Sequence, residues 1–217
     1  MPNAPSSAAN SGNSLTRWVL TVASVTLMLS ALAVAAQEPA VQLIQRTIDA
    51  AFVILRAPEL RADSALRLRK LREAVDPAFD WEAMARSSLG APWRQLTAAQ
   101  RTDFVAVFKE LLAQRYMDDI DRFQGSEELK VTGSEVRDEL TIVKTTLMTS
   151  SREQIPIDYS MRATGSRWRA EDVSIEGISL VNHYRKTFAR FLTNKSFDEL
   201  MAQLKQRLGA GAGAATP

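Results

Sequence analysis

The pattern of apolar and polar positions changes period halfway along the chain. Between residues 41 and 125, apolar residues recur three to four positions apart, which is typical of amphipathic helices. Thr97 and Gln100 have the spacing of a capping box, so the longest of these helices should begin there. Beyond residue 128, segments rich in β-branched residues alternate apolar and polar side chains, which predicts strands with one apolar face.

Four strands are expected, at residues 129–132, 136–149, 155–163 and 167–175. Gly165 lies between the last two strands and predicts a tight hairpin turn. A change of side between Ala170 and Val173 suggests a β-bulge near Asp172. The predicted fold class is α+β, in which N-terminal helices precede a twisted antiparallel sheet of about four strands and C-terminal helices return to cover one sheet face.

The most apolar stretch of the chain runs from Trp18 to Ala36 and follows a polar segment that ends in Arg17. It closes on small residues, the pattern that signal peptidase cleaves, and cleavage after Ala35 or Ala36 fits equally well. An uncleaved membrane anchor is the alternative, because the run is near the lower limit for a span. We predict a signal peptide at 1–36, a single domain at 37–208 and a disordered tail at 209–217.

Composition removes several classes of chemistry. The 217 residues include no cysteine and one histidine, so disulfides, thiolate metal sites and cysteine nucleophiles are excluded. The histidine, His183, falls in the first turns of a predicted helix and is interpreted as a surface or packing residue. A net charge of +2 does not give the concentrated basic footprint of a nucleic-acid-binding protein. The basic run from Arg67 to Arg72 is interpreted as a solvated face that could attract an anionic partner.

One segment resembles a known family. The block from Trp168 to Val181, followed by Tyr184-Arg185 and Phe188, resembles the signature of the MlaC family, whose members are also called toluene-tolerance or organic-solvent-tolerance auxiliary proteins. The upstream residues that agree are Pro77, Phe79-Asp80, Met84-Ala85, Leu89-Gly90, Trp93, Leu96, Gln100, Phe104, Phe108, Leu111-Leu112 and Tyr116. Residues 40–75 carry no matching motif, and Phe123 stands where a tyrosine is expected.

The resemblance implies a non-catalytic, periplasmic phospholipid-binding shuttle of a Gram-negative bacterium, which supports outer-membrane lipid asymmetry and needs no metal or cofactor. Its partners would be an outer-membrane lipoprotein–porin complex and an inner-membrane ABC transporter with an MCE-domain subunit. A hopanoid-type lipid is the alternative cargo. The lipid tails would lie in an apolar cavity between sheet and helices, and the residues expected to line it are Phe104, Phe108, Leu111, Leu112, Ile142, Tyr159, Met161, Trp168, Val173 and Ile175.

Two other functions stay open at this point. A small exported hydrolase or isomerase could use Asp158, Asp172 and Tyr159 in a sheet-lined pocket. However, the alternation puts Asp158 on the face opposite Tyr159, and a carboxylate facing solvent has no cause for a shifted pKa. An exported scaffold with a filled core is the third alternative.

Overall fold

The computed structural model describes residues 39–121, 125–165 and 167–209. The predicted signal peptide and the tail beyond residue 209 lie outside the described residues, and those two predictions stay untested. The described helices are α1 at residues 39–56, α2 at Ser64–Val75, α3 at Trp81–Leu89, α4 at Ala98–Asp121, α5 at Leu180–Leu192 and α6 at Phe197–Gly209. No helix in this part of the chain combines the length and the apolar character that crossing a membrane requires.

The helices begin where polar side chains satisfy their first backbone nitrogens. The capping box before α4 is confirmed: the Gln100 nitrogen donates to Thr97 Oγ1 at 3.2 Å, and the Thr97 nitrogen donates to Gln100 Oε1 at 3.0 Å. Asp80 caps α3 by accepting from the Ala83 nitrogen at 2.9 Å, and Ser179 caps α5 by accepting from the Asn182 nitrogen at 3.0 Å. Local sequence therefore sets these helix starts.

One antiparallel sheet follows the first four helices, with its strands in chain order. The strands are β1 at Glu128–Arg137, β2 at Leu140–Met148, β3 at Gln154–Thr164, β4 at Arg167–Ile175 and β5 at Ile178–Ser179. The predicted α+β class is confirmed, and the sheet has a fifth strand of two residues beyond the four that were expected.

The boundary between the first two strands differs from the prediction. The chain turns at Asp138 and Glu139, whereas the alternating pattern had placed these residues inside a strand over 136–149. Asp138 adopts a φ of 55°, a left-handed conformation that aspartate tolerates better than most residues. Because the turn contains neither glycine nor proline, nothing in the pattern marked it.

A bulge in β4 keeps the apolar face of the sheet continuous. Ser160 pairs with Asp172 while the next residue, Met161, pairs with Ala170, so Glu171 is the extra residue. This confirms the predicted bulge near Asp172. Because of that extra residue, Ala170 and Val173 both lie on the apolar face.

Two hydrophobic clusters cover this apolar face. The aromatic cluster joins the sheet to α3, α4, α5 and α6 and is centred on Phe104, Phe108 and Phe188. The α1 cluster joins Ala40, Ile44 and Ile48 of α1 to Val143, Met161 and Ala170 of the sheet. The sheet therefore has helices packed side by side on one face. The boundary between the two clusters crosses β3 and β4, because each of these strands contributes residues to both clusters.

Candidate functional site

Phe79 and Tyr159 lie at the boundary between the two clusters and pack against both of them. Their ring centroids are 6.5 Å apart, and Phe79 also stacks on Trp81 at 5.1 Å. Phe79 is held in place because the next backbone nitrogen, that of Asp80, donates to the carbonyl of Ala170 in β4 at 2.9 Å. We call Phe79, Trp81, Tyr159 and the neighbouring Ile157 and Ile175 the junction site.

The side chains of the junction site are only partly covered by their neighbours. Burial raises the pKa of Tyr159 to about 12, yet the Tyr159 side chain is only half-buried. Trp81, Ile157 and Ile175 are half-buried as well. The junction site therefore keeps accessible apolar surface that the buried residues of the two clusters do not cover.

One polar donor lies in this apolar wall. The indole Nε1 of Trp81 is buried and has no hydrogen-bond partner among the described residues. The ammonium of Lys109 lies 5.6 Å from the Trp81 ring centroid and also pairs with Asp76. An unsatisfied buried donor is costly, so a hydrogen-bond acceptor brought to this nitrogen would lower the free energy of the site.

The ten residues expected to line the cavity fall into two groups. Six are buried, and their side chains have little or no surface left for a ligand: Phe104, Phe108, Leu112, Ile142, Met161 and Val173. Four are half-buried: Leu111, Tyr159, Trp168 and Ile175. Phe104 and Phe108 stack at 6.0 Å within a set of aromatic rings, so their role in this structure is to support the wall from behind.

Ile142 does not join the others. It pairs with Ser160, whereas its neighbour Val143 pairs with Tyr159. Since successive residues of a strand point to opposite faces, Ile142 lies on the face opposite Tyr159 and Met161. The expectation that Ile142 lines the same wall is therefore corrected by the register of β2 against β3.

The sequence did not single out Phe79, Trp81 or Ile157 as site residues. Ile157 was accessible to sequence reasoning, because it lies two positions from Tyr159 and therefore on the same face of β3. Phe79 and Trp81 flank the capping residue Asp80 in a short connection, and no periodic pattern assigns a direction to such side chains. Only the bridge between Phe79 and Ala170 places them against the sheet.

The acid–base arrangement expected of Asp158, Asp172 and Tyr159 does not form. In the register of the sheet, Asp158 lies opposite Lys144 of β2 and Ser174 of β4. Its side chain is on the face opposite Tyr159, as the alternation predicted. Both carboxylate oxygens of Asp172 are engaged, one by the Val181 nitrogen at 3.0 Å and the other by the hydroxyl of Ser179. Within the described ranges, no cluster of three or more histidine or acidic side chains could hold a metal ion.

Some of the cations of α2 have carboxylate partners among the described residues, but not all of them do. Arg72 of α2 donates to both carboxylate oxygens of Glu110 at 2.7 and 2.9 Å, and this hydrogen bonding holds the pKa of Glu110 below its ordinary value. Arg69 pairs with Glu73 at 4.0 Å, and Arg67 is buried. Within the basic run of α2, Arg69 and Lys70 are exposed as a solvated face requires, whereas Arg67 is buried and Arg72 is tied to Glu110.

Comparison with known proteins places this architecture. A solved structure of a phospholipid-binding protein from Ralstonia solanacearum, in complex with a phospholipid, is similar with a TM-score of 0.72 at 20% sequence identity. The match covers 79% of this chain and 97% of that one, and at this identity it establishes the fold. The family model described as MlaC protein matches residues 45–206. Since that match covers most of the sequence, the chain belongs to the MlaC family.

Proposed function

We propose that this protein is a non-catalytic phospholipid carrier of the periplasm, exported through cleavage of the predicted signal peptide at 1–36. It would move lipid between the outer and inner membranes. The partners we propose are an outer-membrane lipoprotein–porin complex and an inner-membrane ABC transporter with an MCE-domain subunit. Membership of the MlaC family and the phospholipid in the similar Ralstonia solanacearum protein support this proposal.

The observation that carries the proposal is the junction site, and Tyr159 in particular. A carrier has to replace the water around two acyl chains with apolar side chains. Exposing about 28 methylenes costs on the order of 20 kcal/mol at about 0.8 kcal/mol each, so the protein needs internal apolar surface that its own core does not use. Tyr159 and its half-buried neighbours Ile157 and Ile175 keep accessible apolar surface where the two clusters meet, and they would supply part of it.

The junction site also suits the chemistry of a phospholipid below its headgroup. Ester carbonyls lie at the start of each acyl chain and accept hydrogen bonds. The buried indole nitrogen of Trp81 is a donor without a partner in the described part of the chain, next to the apolar rings of Phe79 and Tyr159. Tails against the sheet and a carbonyl at Trp81 would therefore satisfy both kinds of surface.

The test is native mass spectrometry of gently purified protein, followed by extraction and identification of any lipid. We expect a bound diacyl phospholipid at up to one molecule per chain. Recovery of a hopanoid would replace the proposed cargo while preserving the carrier function. Protein that never carries lipid, and does not take it up from phospholipid vesicles, would contradict the proposal.

A further inference from the structure

The outer surface of α5 carries an unusual charge distribution. Residues 177–197 contain four Lys or Arg residues and no Asp or Glu. Arg185, Lys186 and Arg190 are all exposed on α5. None of the three forms an ion pair with another described residue. We call these three residues the α5 basic face.

The basic surface continues from α5 onto α3. The Nε atom of Arg185 lies 3.5 Å from the position that a Cβ at Gly90 would occupy, so the Arg185 side chain reaches over the end of α3. The Gly90 nitrogen donates to the carbonyl of Arg86, a further exposed cation, at 3.0 Å. The acidic residue of α3, Glu82, lies in its first turn, at the other end of the helix.

The described acidic side chains of α4 and α6 form no ion pair with this surface. Asp198 and Glu199 follow in the first turn of α6, and Glu199 accepts hydrogen bonds from the Ser196 nitrogen and hydroxyl at 2.8 and 3.0 Å. Asp103 at the start of α4 pairs with Lys205 at 2.7 Å. The contrast with α2 is direct, because there Arg69 and Arg72 each have a carboxylate partner.

We propose that the α5 basic face docks the carrier onto a bilayer rich in anionic phospholipid; this inference rests on the proposed function. Surface cations are attracted to anionic headgroups without needing an apolar centre. A stable protein interface usually has one. The large apolar residues exposed in the described part of the chain are Val53, Val136 and Ile178, and none belongs to α5. The surface therefore fits a lipid headgroup layer better than a protein partner.

Docking at this helix would hold the carrier close to its membrane. The buried side of α5 supplies Phe188 and the half-buried Tyr184 to the aromatic cluster, which is continuous with the junction site. A membrane held against the outer side of α5 is thus one helix away from the aromatic cluster, and the junction site where the lipid tails would lie borders that cluster. Charge attraction would bring the carrier to the bilayer without burying apolar surface, so the contact stays reversible.

The experiment compares vesicle binding of charge-neutralised variants of the purified protein. The vesicles contain either 30 mol% phosphatidylglycerol in phosphatidylcholine or phosphatidylcholine alone. The triple variant Arg185→Gln, Lys186→Gln, Arg190→Gln removes the α5 basic face. The control triple variant Arg46→Gln, Arg69→Gln, Lys70→Gln removes the same charge from exposed positions on α1 and α2.

We expect the α5 variant to bind phosphatidylglycerol vesicles about a hundredfold more weakly than the wild type, since each surface cation contributes roughly fivefold. The single variant Lys186→Gln should bind these vesicles about fivefold more weakly than the wild type. It keeps the test valid if the triple variant fails to fold. The control triple variant should lose much less of its affinity for the vesicles. Raising the salt concentration should abolish the difference in affinity between the wild type and the α5 variant.

The docking proposal would be overturned if the two triple variants lost vesicle affinity equally. It would also be overturned if the wild type bound equally well to vesicles with and without phosphatidylglycerol. Salt-sensitive binding to polyglutamate without binding to vesicles would also overturn it, in favour of an acidic protein partner. Lipid occupancy, measured by mass spectrometry on the same samples, separates the two proposals. Occupancy that persists without vesicle binding refutes the docking alone, whereas a wild type that never carries lipid refutes the carrier function.

Discussion

The carboxylate of Asp172 fastens the end of β4 to the first turn of α5. Its Oδ1 atom accepts a hydrogen bond from the Val181 nitrogen at 3.0 Å, and its other oxygen pairs with the Ser179 hydroxyl. Ser179 in turn accepts from the Asn182 nitrogen at 3.0 Å. One acidic side chain at the bulge therefore satisfies donors at a helix start, which is a structural role rather than a catalytic one.

Replacing Asp172 should destabilise the fold. We expect Asp172→Ala to lower the free energy of unfolding by about 2 kcal/mol, because a backbone nitrogen loses its charged acceptor. Asp158→Ala is the matched control, since Asp158 makes no hydrogen bond or ion pair with a described residue, and it should change stability by less than about 0.5 kcal/mol. Urea unfolding of both variants measures the difference. Equal effects would show that the Asp172 hydrogen bonds contribute nothing to stability.

A bulky residue in the junction site should exclude lipid. Ile157 is half-buried beside Tyr159, so Ile157→Trp would occupy space that the acyl chains need. Ile178→Trp makes the same change on β5, where the side chain is 62% exposed and belongs to neither cluster. We expect at least a fivefold loss of bound lipid for Ile157→Trp and little change for Ile178→Trp. If the lipid occupancy of Ile157→Trp equalled that of the wild type, Ile157 would not be part of the lipid-contacting surface.

The raised pKa of the Tyr159 phenol should make stability fall at high pH. Burial raises its pKa from about 10 in the unfolded chain to about 12. The contribution is fully present below pH 10 and is lost as the pH rises from 10 to 12, because the unfolded state releases the proton first. Tyr159→Phe should abolish roughly 2 kcal/mol of that decline. Urea unfolding of both proteins across this range is the measurement, and parallel pH profiles would contradict the assignment.

Sequence reasoning succeeded where neighbouring residues alone decide the structure. The capping box of Thr97 and Gln100 and the alternation on β3 are local, so α4 and the two faces of β3 could be predicted. The turn at Asp138 was missed because its left-handed conformation is held by an aspartate, which many other conformations accommodate equally well.

The residues of the candidate site also divide into those that local sequence predicts and those that it does not. Tyr159, Trp168 and Ile175 follow from strand periodicity, and all three lie on the apolar face of the sheet. Ile142 was assigned to the same wall as Tyr159 although no sequence pattern fixes which face of β2 meets that of β3; the pairing shows that Val143, and not Ile142, shares the face of Tyr159. Periodicity also cannot distinguish a ring enclosed on all sides, such as Phe104, from one that keeps open surface, such as Tyr159.

By itself the sequence determined the α+β order of helices and strands, the helix caps and the apolar face of β3, because these depend on residues close together along the chain. The family resemblance on Trp168–Val181 was also visible there. Only the tertiary structure decided that Phe79 reaches Tyr159, that Arg72 of α2 pairs with Glu110, and that the α5 cations form no ion pair within the described part of the chain. Such contacts join residues far apart in the chain, and their geometry depends on how the helices pack on the sheet.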